Sequence, residues 1–381
     1  MKKFLHFTHT DSDGLGCALV FAMYLNNISG REGKNPFVFQ PNALDEVMST
    51  DMTQQIFFKA TGIKVSSCIM ENVGIILSNM SDDDDDLYVL ISDVGITDEC
   101  AEYLDSIESP DFHVLLVDHH PTNTLGIRYV WCDVAYNEYT SAALYLYNMI
   151  HDDSRLIFNN SGILPPVNPM SLMLTDNFKT LITNISHYDT WYWKKVSTPN
   201  KYWNNLAEDF ATNCISCYSI TVTFNYFYTV YTKPDSSESE EYITKLYAAD
   251  TITKVLHEKN YNFTINNVRY LTIDENDFFT PEFIGKNTAV IMAENSDGNF
   301  IADKILSSYQ FVDFVIILYP STARLSFRGS IIRDNGVHLG ELTKTKFNGG
   351  GHKTAAGGSL PYDEFLKFMK YVYYDAGKLL E

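Results

Sequence analysis

Long hydrophobic runs are missing from this chain: no segment reaches the roughly 18 consecutive apolar residues of a membrane-crossing helix. The opening MKKFLHFTHTD starts like a signal peptide, but His6 and Asp11 interrupt it before an apolar segment can develop. A cytoplasmic protein without membrane contact is therefore expected. Cysteine is scarce as well, with six scattered over 381 residues, which fits a reducing compartment and excludes a disulfide scaffold. Cys214 and Cys217 in CISC have no second pair to complete a zinc site and read as ordinary thiols. Basic charge is the third shortage. Against 48 acidic residues stand 28 lysines and arginines, a formal net charge of −20, and such a surface opposes the many phosphates of a long duplex nucleic acid. Small phosphate-bearing ligands stay within reach of a local basic patch or of metal ions.

What is present points to two domains. A single hydrophobic core rarely outgrows about 250 residues, and the balance of 45% apolar and 20% charged residues is that of a globular protein. Up to about residue 195, FLHFTH, LYVLISDV and FHVLLVDHH read as strands, and GLGCALVFAMYLNN and TSAALYLYNMI as helices. That alternation predicts a largely parallel sheet covered by helices on both faces. The acidic run Asp82 to Asp86 predicts a solvated loop. The aromatic-rich stretch from about 190 to 231 either packs on the first domain or lines a cleft. TKPDSSESEE reads as a linker running into a helix through YITKLYAADTITKVLHEK. Strands in FTINNVRYLTI, TAVIMAE and FVDFVIILYP follow, with a helix in NFIADKILSSYQ, then ARLSFRGS, a glycine-rich loop and a terminal helix. The expected fold is α/β in two lobes: residues 1–231, a linker and connecting helix over 232–260, and a smaller α/β domain over 261–381.

Ionisable residues gather at the strand ends of the first lobe. His9, Asp11 and Asp13 follow the first strand, Asp93 ends LYVLISD, Asp118, His119 and His120 end FHVLLVDHH, and Asp189 lies beyond a helix in ISHYDTW. Any one aspartate taken alone would serve as a helix or turn cap. Three strands delivering acids and imidazoles to one edge is a different matter, because ligands of open α/β sheets bind outside the carboxyl ends of the strands. Carboxylates mixed with imidazoles suit Mn²⁺ or a similar divalent ion, whereas a structural zinc site would lean on cysteine.

The set HTDSDG, ISDVGIT, VDHHPTN and HYDTW, followed far downstream by GGGHKTAAGG, resembles the DHH-DHHA1 phosphoesterase superfamily over nearly the whole chain. The opening HTDSDGLGC is most similar to the NrnB-type oligoribonucleases rather than to RecJ exonucleases, whose first motif lacks the leading histidine. The resemblance implies a DHH metal-binding catalytic domain, a DHHA1 substrate-binding domain and two divalent ions, most simply Mn²⁺. His9 and Asp11 would hold one ion, Asp13, His119 and Asp189 the other, Asp93 would bridge them as a catalytic group, and His120 would face the substrate phosphate. This chain departs from the HxxxDxD spacing of other members, so the division of Asp11 and Asp13 between the ions stays open. Two ions about 3.5–4 Å apart can lower the pKa of a shared water and clamp the oxygens of an in-line displacement at phosphorus.

Residues 320–360 reverse the global charge, with Arg324, Arg328, Arg333, Lys344, Lys346 and Lys353 against Asp334 and Glu341. Gly349, Gly350 and Gly351 before His352 remove side chains from successive backbone positions, which lets N–H groups approach a phosphate, and are expected to open a small-residue helix. With RLSFRGS upstream they resemble the DHHA1 substrate element, in which Arg328 would fork a phosphate and Ser326 would add a lesser contact. The expected activity is hydrolysis of short RNA oligonucleotides. A cyclic nucleotide or cyclic dinucleotide phosphodiesterase, with bases stacked by the aromatic stretch, and a 3′-phosphoadenosine 5′-phosphate phosphatase remain alternatives. A nucleotide-binding module without turnover is a fourth, against which the full set of ligand types argues. Nothing in the sequence sets an oligomeric state.

Overall fold

The first strand shows how this chain builds its core. In β1 (Lys2–His9) the five residues Phe4 to Thr8 are all buried, so both faces of the strand are covered. Leu5 and Phe7 enter one apolar cluster and Phe4 the other, as the period-2 geometry of a strand requires. The structure is a computed structural model that describes residues 2–28, 38–40, 46–49, 53–58, 63–80, 86–120, 123–135, 137, 139–153, 158, 176–190, 192, 209–293, 297–330, 333 and 336–375. The chain divides into two compact units, Met1–Thr251 and Ile252–Glu381.

In the first unit β1 is followed by α1 (Ser12–Ile28), β2 (Val38–Gln40), β3 (Glu46–Ser49), β4 (Thr53–Phe58), α2 (Ile63–Ser78), β5 (Asp86–Ser92), α3 (Asp98–Asp105), β6 (Phe112–Asp118) and β7 (Cys132–Val134). The helices α4 (Ala142–Asp153), α5 (Asp176–Asp189), α6 (Phe210–Tyr218), α7 (Ile220–Thr232) and α8 (Ser237–Thr264) complete it, the last running into the second unit. The seven strands are ordered β2-β3-β4-β1-β5-β6-β7, with the run from β4 to β7 parallel and β2 and β3 antiparallel. The expected α/β fold with a largely parallel, helix-covered sheet is therefore present. β1 hands the chain to α1 on one face, while β5 hands it to α3 on the other. Connections that leave adjacent strands toward opposite faces open a crevice at the carboxyl edge.

Part of the aromatic stretch is core. Phe210, Phe224, Phe227, Tyr228 and Tyr231 are buried against α1, α4 and α5, while residues 193–208 lie outside the described residues. The acidic run likewise lies outside them except for Asp86, which opens β5. The linker shrinks to a turn, since Thr232 still belongs to α7 and the Ser236 hydroxyl caps α8 by accepting from the Ser239 N–H at 3.1 Å.

The second unit holds β8 (Arg269–Thr272), β9 (Asn287–Met292), α9 (Asp297–Ser308), β10 (Phe314–Tyr319), β11 (Arg324–Gly329), α10 (Leu339–Lys346), β12 (Gly350–Gly351), β13 (Ala355–Ser359) and α11 (Tyr362–Lys370). Its sheet runs β12-β13-β11-β10-β9-β8, and β9 and β10 form its parallel pair. Two expectations are corrected here. FTINN is no strand: α8 persists to Thr264 and a short 3₁₀ turn follows, so extended structure starts only at Arg269. The glycine run opens no helix but the β12–β13 hairpin, because a Cβ at Gly349 would stand 1.9 Å from the Gly357 carbonyl oxygen and only glycine lets those backbones meet. Among the described residues no helix is long and apolar enough to cross a membrane.

Candidate metal centre

β1 ends at His9 and the chain turns at once into α1, which places Asp11 in the turn and Asp13 in the first helical turn. Gly14 permits so tight a turn, since a Cβ there would lie 2.0 Å from the His9 carbonyl oxygen. The Gly14 N–H donates to Asp11 Oδ1 at 3.0 Å, and His9 Nδ1 pairs with Asp11 Oδ2 at 2.6 Å. Asp13 is fully buried, where its two oxygens accept from the N–H groups of Ala142 and Ala143 at 2.9 and 3.0 Å. These are the first amides of α4, so a helix N-terminus holds the carboxylate. Ser186 of α5 steadies the same junction by accepting from the Ser141 N–H at 3.0 Å.

Asp93 follows β5 directly with φ 55°, a left-handed conformation that residues other than glycine adopt rarely and at functional sites more than elsewhere. Its N–H donates to the Val117 carbonyl at 3.1 Å, which ties it to β6. The end of β6 is organised by buried Asp118, which accepts from the His119 N–H at 2.8 Å, His120 Nδ1 at 2.7 Å and Asn123 Nδ2 at 2.7 Å. Asp189 is the last residue of α5 rather than a position beyond it.

These side chains converge. His119 Nε2 lies 3.6 Å from Asp13 Oδ2, 3.6 Å from Asp93 Oδ1 and 3.3 Å from Asp189 Oδ2. Ligand-type atoms of His9, Asp11 and Asp93 fall within 4.8 Å of one another, and so do those of Asp13, His119 and Asp189. Asp93, Asp118, His119 and His120 form a further such group. Asp93 thus touches the first set through its grouping and the second through His119.

Burial is the strongest influence on Asp93 and, with Asp11, Asp13, Asp189 and Asp118 nearby, pushes its carboxyl well above the usual range. Its Oδ2 is buried and has no hydrogen-bond partner among the described residues. Burial also raises Asp13, to about 6, against the pull of its hydrogen bonds to Ser141, Ala143 and Ala142. At Asp11 burial is outweighed by the charge and hydrogen bond of His9, and at Asp118 by those of His120, so both carboxyls fall below the ordinary range. His120 gains in return: burial disfavours its cation, but Asp118 outweighs that and lifts it to about 9. Several acids in a dry crevice repel one another unless protons or cations join them. Oxygen donors with imidazole suit a hard or borderline divalent ion, and the orphaned Oδ2 of Asp93 is a donor such an ion would use.

In the second unit Ser326 and Arg328 share one face of β11, paired in register with Gly357 and Ala355 of β13. Arg328 Nη1 donates to the carbonyls of Phe327 and Ala356 at 2.9 and 3.3 Å, which braces the guanidinium. Gly350 and Gly351 form β12; at Gly351, φ is 134° and a Cβ would lie 2.5 Å from the Ala355 carbonyl oxygen. The His352 N–H closes the hairpin on that same oxygen at 2.7 Å. Sequence reasoning missed Asn123 and the amides of Ala142 and Ala143. Asn123 carried a signal in VDHHPTN, whereas backbone amides carry none.

No family model matches the chain, and no curated protein matches it. Among solved structures it is similar to the DHH domain of a member of a ribosomal-protein family, at 12% identity over 99% of this chain and 88% of that one, TM-score 0.61. It is also similar to exonuclease RecJ bound to manganese, at 14% identity over 97% and 89%, TM-score 0.51. RecJ from Thermus thermophilus in complex with Mn²⁺ matches at 14% identity over 97% of this chain but only 51% of its own length, TM-score 0.52. The fold is that of the DHH-domain proteins.

Proposed function

We propose that this chain is a divalent-metal-dependent phosphodiesterase of the DHH-DHHA1 superfamily, NrnB-like in substrate, that hydrolyses short RNA oligonucleotides. The observation that carries the proposal is the pair of ligand sets, His9–Asp11–Asp93 and Asp13–His119–Asp189, that meet at Asp93. The manganese-bound RecJ structures of the same fold support it. His9 and Asp11 would hold one ion, Asp13, His119 and Asp189 the second, and Asp93 both. Two such ions supply an activated water and neutralise charge at phosphorus.

The protein's own groups do the rest. The α4 amides keep Asp13 in place, and the left-handed turn at Asp93 aims its carboxylate at the crevice. In the metal-free protein Asp118 outweighs burial and lifts the His120 imidazole to about 9. With Nδ1 held by Asp118, His120 would donate from Nε2 to a phosphoryl or leaving oxygen. In the second unit Arg328, Ser326 and the glycine hairpin with His352 would offer donors to a phosphate. A chain at −20 offsets few phosphates, so efficiency should peak at two to about five nucleotides.

One panel tests this: Mn²⁺-loaded protein against RNA dimers to octamers, long RNA, cyclic mono- and dinucleotides, and 3′-phosphoadenosine 5′-phosphate. Short RNA should be consumed first and chelator should stop the reaction. Preference for a cyclic or bisphosphate substrate would replace the RNA assignment, and no turnover of any substrate would overturn the enzyme.

A further inference from the structure

His6 has no place in the chemistry above, yet it is a completely buried imidazole in the central strand β1. It lies on the face of the sheet that α1 covers, with its ring 5.1 Å from that of Phe21. Other buried polar residues share its surroundings. Gln55, its register partner on β4, places Nε2 3.4 Å from His6 Nδ1 and donates from the same nitrogen to the Ala18 carbonyl at 3.2 Å. A carbonyl can only accept, so the amide orientation is fixed and His6 Nδ1 must accept too. The ring proton is therefore on Nε2, which lies 2.8 Å from Ser92 Oγ. Ser92 donates onward to Thr8 Oγ1 at 3.1 Å, and Thr8 to the Gly14 carbonyl at 3.4 Å.

Donors and acceptors thus run in one direction from β4 through β1 and β5 to the first turn of α1. Ser92 precedes left-handed Asp93, and Gly14 adjoins Asp13. A buried polar row in a sheet otherwise packed with Phe, Leu and Val costs desolvation at every member and calls for a compensating role. Burial pushes the imidazole down to about 3, so it stays a neutral donor.

We propose that His6 is a positioning residue: through Ser92 it holds Asp93 in its left-handed conformation, and through Thr8 it fixes the turn that carries Asp13. The proposal deepens the metal-centre reading and rests on it for its effect on metal, but not for its effect on the backbone. His6→Leu removes the donor, whereas His6→Gln can present its own Nε2–H near the same place. In metal-free protein, hydrogen exchange at the Asp93 amide, which is bonded to Val117, reports the turn directly. Exchange should speed up by about 10-fold or more in His6→Leu, a loosening worth about 1.4 kcal/mol or more, and stay near the parent rate in His6→Gln. Mn²⁺ affinity by calorimetry should fall about 10- to 100-fold in His6→Leu and recover in His6→Gln. Unchanged exchange in folded His6→Leu, or equal loosening in both variants, overturns the positioning role. A parent protein that binds no Mn²⁺ would overturn the metal reading instead, with the exchange result still deciding the role of His6.

Discussion

Asp93 Oδ1 stands 3.6 Å from His119 Nε2, although one residue follows β5 and the other follows β6. The contact joins the two ligand sets, and it places a buried carboxylate where other carboxylates already crowd it. Without cations that crowding is destabilising. Asp93→Asn should therefore stabilise the metal-free protein by on the order of 1 kcal/mol, a Tm rise of roughly 2–4 °C for a unit of this size. Asparagine tolerates the left-handed backbone, so the turn survives the change. The same variant should lose most of the Tm gain that Mn²⁺ gives the parent. Calorimetric scans with and without Mn²⁺ check both, and a less stable variant with an undiminished Mn²⁺ response would contradict the reading.

The neighbouring histidines should separate in function. His119 sits amid three carboxylates, so His119→Ala should reduce metal content. His120 is tied to Asp118, so His120→Ala should keep its metal and lose turnover by about 10²- to 10⁴-fold, the range of a general acid. Metal analysis beside kcat distinguishes the two, and a reversed pattern would exchange their roles.

Acid should expose the buried His6. Its pKa falls from the ordinary 6.5 to about 3 on folding because burial disfavours the cation. Between those values the unfolded chain binds a proton that the folded chain does not, so stability is complete above pH 6.5 and drains as pH falls toward 3. The slope from this one group is at most about 1.4 kcal/mol per pH unit. Urea denaturation across that window should show a shallower decline in His6→Leu than in the parent. Parallel declines would mean that His6 titrates normally.

How far the sequence led depends on which kind of signal each feature carries. Near-continuous apolar runs revealed β5 and β6, and FLHFTH read as β1 despite His6; the acids at the ends of these strands marked the site. Strands β2 to β4 were not legible: they are short, and QQ interrupts the apolar residues of TQQIFF. Asp13 was legible as a carboxylate but not its cradle, since Ala142 and Ala143 contribute only backbone. His6 was visible only as a break in an apolar run. Its partners Gln55 and Ser92 come from other strands, and only register brings them together. In the second unit the glycine run was noticed for its chemistry, while its nearest cause is the close approach of β12 and β13.

That cause can be measured. Gly349→Ala should cost on the order of 2–4 kcal/mol, because the new Cβ would meet a backbone oxygen at 1.9 Å that cannot step aside like a flexible side chain. Equilibrium unfolding of the variant checks this. A change below about 0.5 kcal/mol, the size of an ordinary surface substitution, would show that the hairpin adjusts freely.

The most direct test of the paired ligand sets is electron paramagnetic resonance of the parent protein titrated with Mn²⁺. Two equivalents should bind per chain, and the spectrum should change from that of isolated ions to that of a spin-coupled pair as the second fills, since ions sharing Asp93 would sit about 4 Å apart. One equivalent, or two that remain magnetically independent, would contradict a centre bridged by Asp93.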